Sequence, residues 1–507
     1  MPLSKKIAAF ALSAITALSA LAPSAFADEP YYGYNYNWWN DPVPSQNGYV
    51  VSDVFTGVDL GVGAFNEPSD MFVDNQTGKF YIADSKNNRI VITDENMSSG
   101  TVLDTFKYGT EFPESKSVVK NTALNTPTGV FVTHKDDKTL MYIADSMNDR
   151  VLACYEDGTI FFEYTRPTSD IYDENISFRP SKIAVDNAYN VYVVIPSITN
   201  GMVQFSSDGS FNGFYGANRV ETTAEVLQNA FYKLFMSREQ MLARKKAVAI
   251  EIDNCEIDED GFIYTVTSSK NADKDVLKKL NPSGENIYLN MGFDGLIFGD
   301  ISVYYNGKTY ASAIDDVEVD KDGNVFLMDF ENKRIFQYSN ELDLEFIFGG
   351  KGDQKGLFTS PTALETHNGK VYVSDGRKNN ITVFSLTEFG AMVQGAVEKF
   401  NRGLYTEAKE PFEEIILRDA NYWFAYIGLG NAYYTLGDNE TAMKYFYMNS
   451  RGGYNRAFKE YRMEMIREYF NVFMIVIIVL IVVLVVLSKV RTVIKKKKAK
   501  GAKGGVA

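Results

Sequence analysis

The stretch FYIADSKNNRIVI at residues 80–92 returns sixty-one positions later as MYIADSMNDRVLA at residues 141–153. Asp84, Asn87 and Arg89 recur in register as Asp145, Asn148 and Arg150, and the same spacing returns at Asp329, Asn332 and Arg334. An acid, an amide and a base at fixed spacing could form a reaction centre. A reaction centre is expected once in a chain, however, and a thrice-repeated set is better read as part of a wall. Asp84 and Asn87 are expected in the loop joining two strands, where Asp and Asn suit turns.

The repeat unit is larger than that set. Segments beginning at Pro68, Pro127, Pro180, Ile250, Asp315 and Pro361 each read as an alternating apolar stretch, a turn, a second alternating stretch, a polar loop and a third. The second stretch is marked near its start by an aromatic: Tyr81, Tyr142, Tyr192, Tyr264, Phe326 and Tyr372. Six units of short period-2 strands predict a mainly β, six-bladed propeller. The link G-x-F-x-x-P enters the first and last units, as GAFNEP from Gly63 and GLFTSP from Gly356. The last unit stops at Phe384 with three strands, so Tyr49–Phe55 is expected to supply its fourth and close the ring. YIADSKNNRI, YIADSMNDRV and FIFGGKGDQKGLFTSP resemble the blades of NHL-repeat propellers over residues 49–387, although units three and four lack the Asp–Asn–Arg set.

From Ala396 the period becomes helical. FNRGLYTEAKEPFEEIILRDA and YTLGDNETAMKYFYMNSR align without a gap at an offset of 34, matching Ala408 to Ala442 and Phe412 to Phe446. A helical pair at that period resembles tetratricopeptide (TPR) repeats, expected over residues 391–469. Phe470–Leu487 then carries no charged residue and just spans a hydrocarbon core as a transmembrane helix, within residues 470–488. Lys489, Arg491, Lys495–Lys498, Lys500 and Lys503 follow it, so residues 489–507 are expected as a basic cytoplasmic tail. Residues 1–27, with Lys5, Lys6, an apolar run and Ala25-Phe26-Ala27, read as a secretory signal. The expected localisation is therefore a single-pass cell-membrane protein with its N-terminal region extracytoplasmic. Between signal and tail remain 41 basic against 65 acidic residues, a formal charge near −24. That balance argues against nucleic acid and favours cationic partners.

Three non-repeating features are candidate contact sites. The leader, residues 28–48, is rich in Tyr and Asn and contains Trp38 and Trp39, which could stack on sugars or lie as a strap on the propeller. Residues 222–246 break the β pattern as a helix with Phe231 and Phe235 on its apolar stripe, either packed on the propeller or docking a partner. Trp423 is the third candidate, among the helices.

No catalytic, cofactor or metal set is assigned. The two histidines, His134 and His367, are expected in first-to-second-strand turns. There is no His-x-x-x-His or Cys-x-x-Cys pair, and FGGKGDQKG lacks the G-K-[ST] of a phosphate loop. DEDG and DKDGN resemble fragments of calcium loops without the twelve-residue spacing. Cys154 and Cys255 fall on non-adjacent blades and are expected free. The reading is a non-enzymatic, membrane-anchored scaffold for protein partners. The resemblance implies accessory proteins of membrane transport systems. A carbohydrate or cell-wall ligand at the propeller mouth is the alternative. A second alternative is a metal-dependent hydrolase or lyase on the axis, with Asp74, Asp186, Asp253 and Asp320 as the acids nearest it.

Overall fold

The structure is a computed structural model. It describes residues 30–503 apart from 38–40, 111, 113–120, 219–249, 269–274, 291–297, 301–302, 306–307 and 311. The signal segment, Trp38, Trp39 and the 222–246 stretch with Phe231 and Phe235 lie outside the described residues. The chain divides into two compact units, residues 1–35 with 42–394, and residues 36–41 with 395–507.

The first unit is a six-bladed β-propeller. Blade 1 is Pro68–Asp74, Lys79–Asp84, Arg89–Thr93 and Gly100–Leu103, paired in that order. Blade 2 is Pro127–Lys135, Lys138–Asp145, Arg150–Tyr155 and Thr159–Thr165, with Lys107–Tyr108 added along its last strand. Blade 3 begins at Lys182–Val185 and blade 5 at Ile314–Val319, each with four strands. Blade 4 shows three among the described residues: Asn254–Ile257, Ile263–Val266 and Leu277–Leu280. Blade 6 joins Pro361–His367, Lys370–Asp375 and Asn380–Leu386 to Tyr49–Thr56, which pairs antiparallel with Asn380–Leu386. The first strand of each blade touches the first strands of both neighbours, closing a ring of six. The second strands are buried on both faces, so they read as continuous apolar runs. Tyr81, Tyr264 and Phe326 are among the largest fully buried side chains.

The repeated acid, amide and base form one clamp. Asp84 Oδ1 accepts from the Asn66 amide (2.7 Å), and its Oδ2 accepts from Asn87 (2.8 Å) and Arg89 Nε (2.7 Å). Arg89 donates onward to the carbonyls of Val62 (2.7 Å) and Ala64 (3.3 Å). Blade 2 repeats every bond. Asp145 accepts from the Asn125 amide, Asn148 and Arg150, and Arg150 donates to the carbonyls of Asn121 and Ala123. The clamp holds the incoming link against its blade and satisfies backbone groups that a loop would otherwise bury unpaired. Asp84 itself ends the second strand, and Ser85–Asn87 forms a 3₁₀ turn closed by left-handed Asn88, in place of the open loop expected. In blade 5, Asp329 and Asn332 keep their bond, while Arg334 turns to Asp300 and to the Tyr34 hydroxyl (2.7 Å).

Part of the leader therefore lies as a strap. Tyr34 bonds Arg334, and Tyr31 is buried with its hydroxyl donating to the Tyr49 carbonyl (2.8 Å). Cys154 and Cys255 are both buried and free.

Five helices end the chain: α1 (Glu388–Asn401), α2 (Tyr405–Arg418), α3 (Trp423–Thr435), α4 (Asn439–Asn449) and α5 (Arg451–Lys503). α2 and α4 start 34 residues apart. Close packing depends on Gly428 and Gly430, where a Cβ would lie 2.2 Å from the Phe412 ring and 2.4 Å from the Phe446 ring. Trp423 opens α3, half-buried, with its ring 5.9 Å from that of Phe424. α5 is one unbroken helix containing an apolar stretch long enough to cross a membrane, and that stretch is not buried by protein.

Candidate functional site at the propeller axis

Strand register aligns the six blades residue by residue. The marker aromatic of each second strand lies opposite one residue of the first strand. Going round the ring these are Phe72, Phe131, Ala184, Glu256, Glu318 and Glu365. Half of this layer is apolar, with the Phe72 and Phe131 rings 4.8 Å apart. The other half is three glutamates from three consecutive blades. Each offers a carboxylate oxygen, and these oxygens lie within 4.8 Å of one another. Two residues earlier on each strand a second layer holds Asp70, Gly129, Lys182, Asn254, Asp316 and Ala363.

The two layers are balanced differently. In the Lys182 layer, Lys182 pairs with Asp70, and Asn254 donates to Asp316. Burial works against the Lys182 ammonium, but Asp70 and then Asp316 hold its pKa above the usual lysine value. The glutamate layer has no basic side chain bonded to it among the described residues. Its hydrogen bonds come from backbone amides and one hydroxyl. Glu318 Oε1 accepts from the Thr366 amide (3.0 Å) and hydroxyl (2.7 Å), Glu365 Oε2 from the Val73 amide (3.1 Å), and Glu256 Oε1 from the Ile257 amide (2.9 Å). Asp70 and Asp316 likewise accept from the amides of Val130 (2.8 Å) and Leu364 (2.7 Å) in the next blade. The inner edge of each blade would otherwise leave these N–H groups unpaired, and the acids cover them.

Holding three carboxylates together has a protonation cost. Burial, followed by the charges of Asp316 and Asp70, pushes Glu256 up to about 8. Burial likewise pushes Asp316 up to about 7. Glu318 and Glu365 are driven well above the carboxylate range by burial first and by the neighbouring glutamates second. The layer opens into a cavity of about 430 Å³ lined by Phe72, Phe131, the three glutamates, the acidic turns Asp258–Asp260 and Asp320–Asp322, and Lys279 and Lys321. Lys279 is engaged at its wall, 3.3 Å from Asp258.

Of the acids named from sequence, Asp320 lines this cavity, and none of the four belongs to the glutamate trio. Asp320 caps its own turn, accepting from the amides of Asp322 (2.9 Å) and Asn324 (2.8 Å), and Asp186 does the same for Ala188 and Asn190. Asp253 accepts from the Ser268 amide (2.6 Å), and Asp74 from Gln76 (3.1 Å) and His134 (2.9 Å). DKDGN and DEDG are thus hairpin turns, with Gly323 and Gly261 at positive φ. Both histidines sit at the ends of first strands, not within the turns. His367 Nδ1 lies 3.0 Å from Asn75 Oδ1. The three glutamates were missed: Glu256 and Glu318 each stand eight residues before the marker aromatic, but Glu365 stands seven before Tyr372, so only the strand pairing brings all three together.

Three carboxylate oxygens at this separation fit a calcium-sized cation. Its oxygen ligands lie about 2.3–2.6 Å from the ion, so oxygens on opposite sides are about 5 Å apart. The trio would supply three of about six to eight ligands, leaving the cavity side open to water or a bound molecule.

Residues 65–92, the link into blade 1 and most of that blade, match the NHL repeat family model. No curated protein matches the chain. Among solved structures, virginiamycin B lyase from Staphylococcus aureus is similar at 11% identity, covering 67% of this chain and 100% of that one, with a TM-score of 0.39. A protein of unknown function from Bacteroides thetaiotaomicron matches at 11% identity, covering 69% and 80%, with a TM-score of 0.40. Kuenenia stuttgartiensis hydrazine synthase matches at 10% identity, covering 64% and 96%, with a TM-score of 0.37. At these scores nothing about ligand or chemistry carries over.

The buried acids set a pH dependence. An unfolded Glu titrates near 4.5, while Glu256 in the fold titrates near 8, so the fold binds the extra proton between those values. Propeller stability contributed by Glu256 and Asp316 is present below pH 4.5 and is lost as pH rises to about 8. Thermal melts without divalent cation should show the propeller transition falling between pH 5 and pH 8. A transition that rises over that interval would contradict the assigned burial.

Proposed function

We propose that the chain is a non-enzymatic, membrane-anchored scaffold, an accessory subunit of an envelope complex. The observation that carries this reading is α5, whose apolar stretch is uncovered by protein and is followed by eight Lys and Arg residues. A soluble fold would bury such a surface, and a bilayer is the solvent that accepts it. The basic residues after the span support a cytoplasmic tail and an exterior propeller. The α1–α4 hairpins act as a short TPR-like array, supported by their 34-residue offset and glycine-dependent packing. With only two hairpins, fewer than an independent array needs, the array is expected to work against a partner such as a transport component. Native electrophoresis of solubilised membranes should place the chain with a second polypeptide in stoichiometric amount. Migration as a lone 56.9 kDa chain would count against the scaffold.

A second reading is favoured by Glu256, Glu318 and Glu365: the axial mouth binds a divalent cation, alone or as part of a ligand. The uncompensated carboxylates and the acidic cavity support it. A carbohydrate held by the leader draws no support from Tyr31 and Tyr34, which are engaged within the propeller. Calorimetric titration with calcium should show one site in the parent chain, weakened at least about tenfold in Glu365→Gln, in which a ligand charge is lost. Unchanged affinity in that variant would remove the axis from consideration.

A further inference from the structure

We propose that the glutamate layer on the propeller axis binds the ammonium head of a primary amine, and that the apolar half of the same layer takes the amine's carbon body. The inference rests on reading this layer as a cation site, and it gives the layer an organic cation where the preceding reading gives it a metal ion.

The layer offers acceptors that its own fold does not use. Glu318 and Glu365 are more than nine-tenths buried. Glu318 takes both of its hydrogen bonds on Oε1, Glu365 takes its one on Oε2, and Glu256 takes its one on Oε1. The second oxygen of each carboxyl accepts from no donor among the described residues, and all three side chains line the cavity of about 430 Å³. The neighbouring layer shows what completes such a set. There the primary ammonium of Lys182, from blade 3, pairs with Asp70 and feels the charge of Asp316. Two residues on, blade 3 brings Ala184 to the glutamate layer and so supplies no ammonium to the acids there. Lys279 is held at the cavity wall, 3.3 Å from Asp258 and with its ammonium 4.9 Å from the centre of the Tyr264 ring.

The spacing suits an ammonium. Charge-assisted N–H···O bonds are about 2.8 Å long, so three acceptors set tetrahedrally around one nitrogen stand about 4.6 Å apart. One oxygen from each glutamate lies within 4.8 Å of the other two. Burial and then mutual repulsion drive Glu318 and Glu365 above the carboxylate range, and a bound ammonium relieves that repulsion.

A metal ion alone has no use for the other half of the layer. Phe72 and Phe131 stand there with rings 4.8 Å apart, and Val73, Ile257 and Val319 extend the apolar lining of the cavity. The carbon body of an amine is driven from water onto such a wall, and ring faces favour a nearby cation. The acidic turns at the cavity, Asp258–Asp260 and Asp320–Asp322, draw cations in and repel anions. Carboxylates on one side and aromatic rings on the other are therefore both accounted for by one ligand with a charged head and an apolar body.

The test is calorimetric titration of the detergent-solubilised full chain in amine-free buffer. The probes are hexylamine, hexanol as its uncharged match, and calcium, each corrected for its heat of titration into detergent alone. Hexylamine is expected to occupy one site at least about tenfold more tightly than hexanol, and to compete with calcium. Its affinity should fall at least about tenfold in Glu365→Gln, and several-fold in Phe131→Ala, which should keep the parent's calcium affinity. Calcium binding without hexylamine binding would overturn the proposal and leave the metal reading standing. Hexylamine binding that is equal in the parent and in Glu365→Gln would place the amine off the axis and also overturn the proposal. Binding of neither probe would overturn the proposal and the metal reading together.

Discussion

The pairing of Tyr49–Thr56 with Asn380–Leu386 is the contact on which the propeller depends. It joins the two sequence ends of the ring across more than three hundred residues, and it removes the exposed edges that an open array of blades would present. Once the ring is closed, six first strands face one axis. Their inner edges carry amides with no further strand to pair, and close quarters exclude most of the water that could solvate them. The acids at Asp70, Asp316, Glu318 and Glu365 accept from those amides, so the same residues stitch the ring together and concentrate charge in its centre. Structure and latent chemistry share one origin there.

What repeats and what does not repeat serve different ends. The Asp–Asn–Arg clamp is fully engaged with its own blade and the incoming link. In blade 2 it extends to a buried network in which Arg150 also meets Glu163 (2.5 Å). Its side chains bond within the propeller, which suits a wall. The axial layer departs from sixfold symmetry: aromatic and small on one side, carboxylate on the other. Lys182 pairs with Asp70 within its own layer, and no basic side chain among the described residues bonds to the glutamates. A site that keeps buried acids crowded together at the expense of stability is the usual mark of function carried on a scaffold.

Much of this was legible in the chain. The marker aromatics gave the number of blades, because each second strand is buried on both faces and needs one large side chain at a fixed place. The G-x-F-x-x-P link pointed to the closing strand. The clamp could be read as wall from its recurrence, although its targets could not, because the groups that Arg89 and Arg150 reach are backbone carbonyls, which leave no mark on residue type. The axial glutamates were missed for a physical reason. Acids at strand ends, such as Asp186 and Asp320, are the conspicuous ones, yet they cap turns. Glu256, Glu318 and Glu365 sit within strands and look like ordinary outward positions until the ring turns that face inward. Glu256 and Glu318 share a spacing of eight to Tyr264 and Phe326, but the shorter turn of the last blade puts Glu365 seven before Tyr372, so the column emerges only when the strands pair. The packing of α4 on α5 was not legible, because it rests on Gly453, where a Cβ would stand 2.6 Å from the Phe446 ring, and on Asn439, which donates to Glu464 (3.0 Å).

The central claim is that the clamp is wall and the axial layer is site, and paired variants test it most directly. Unfolding should be followed at pH 8 for Asp145→Asn and Glu318→Gln. Asp145→Asn leaves Arg150 in a buried setting short of one charge and should destabilise the propeller by about 3–5 kcal/mol. Glu318→Gln keeps an oxygen for Thr366 and removes the need to hold a proton or a repelled charge. It should stabilise the propeller, with the gain vanishing below pH 4.5, where the unfolded Glu is itself protonated. Opposite signs at pH 8 are the predicted result. A Glu318→Gln variant as destabilised as Asp145→Asn would show that the axial glutamates are wall as well.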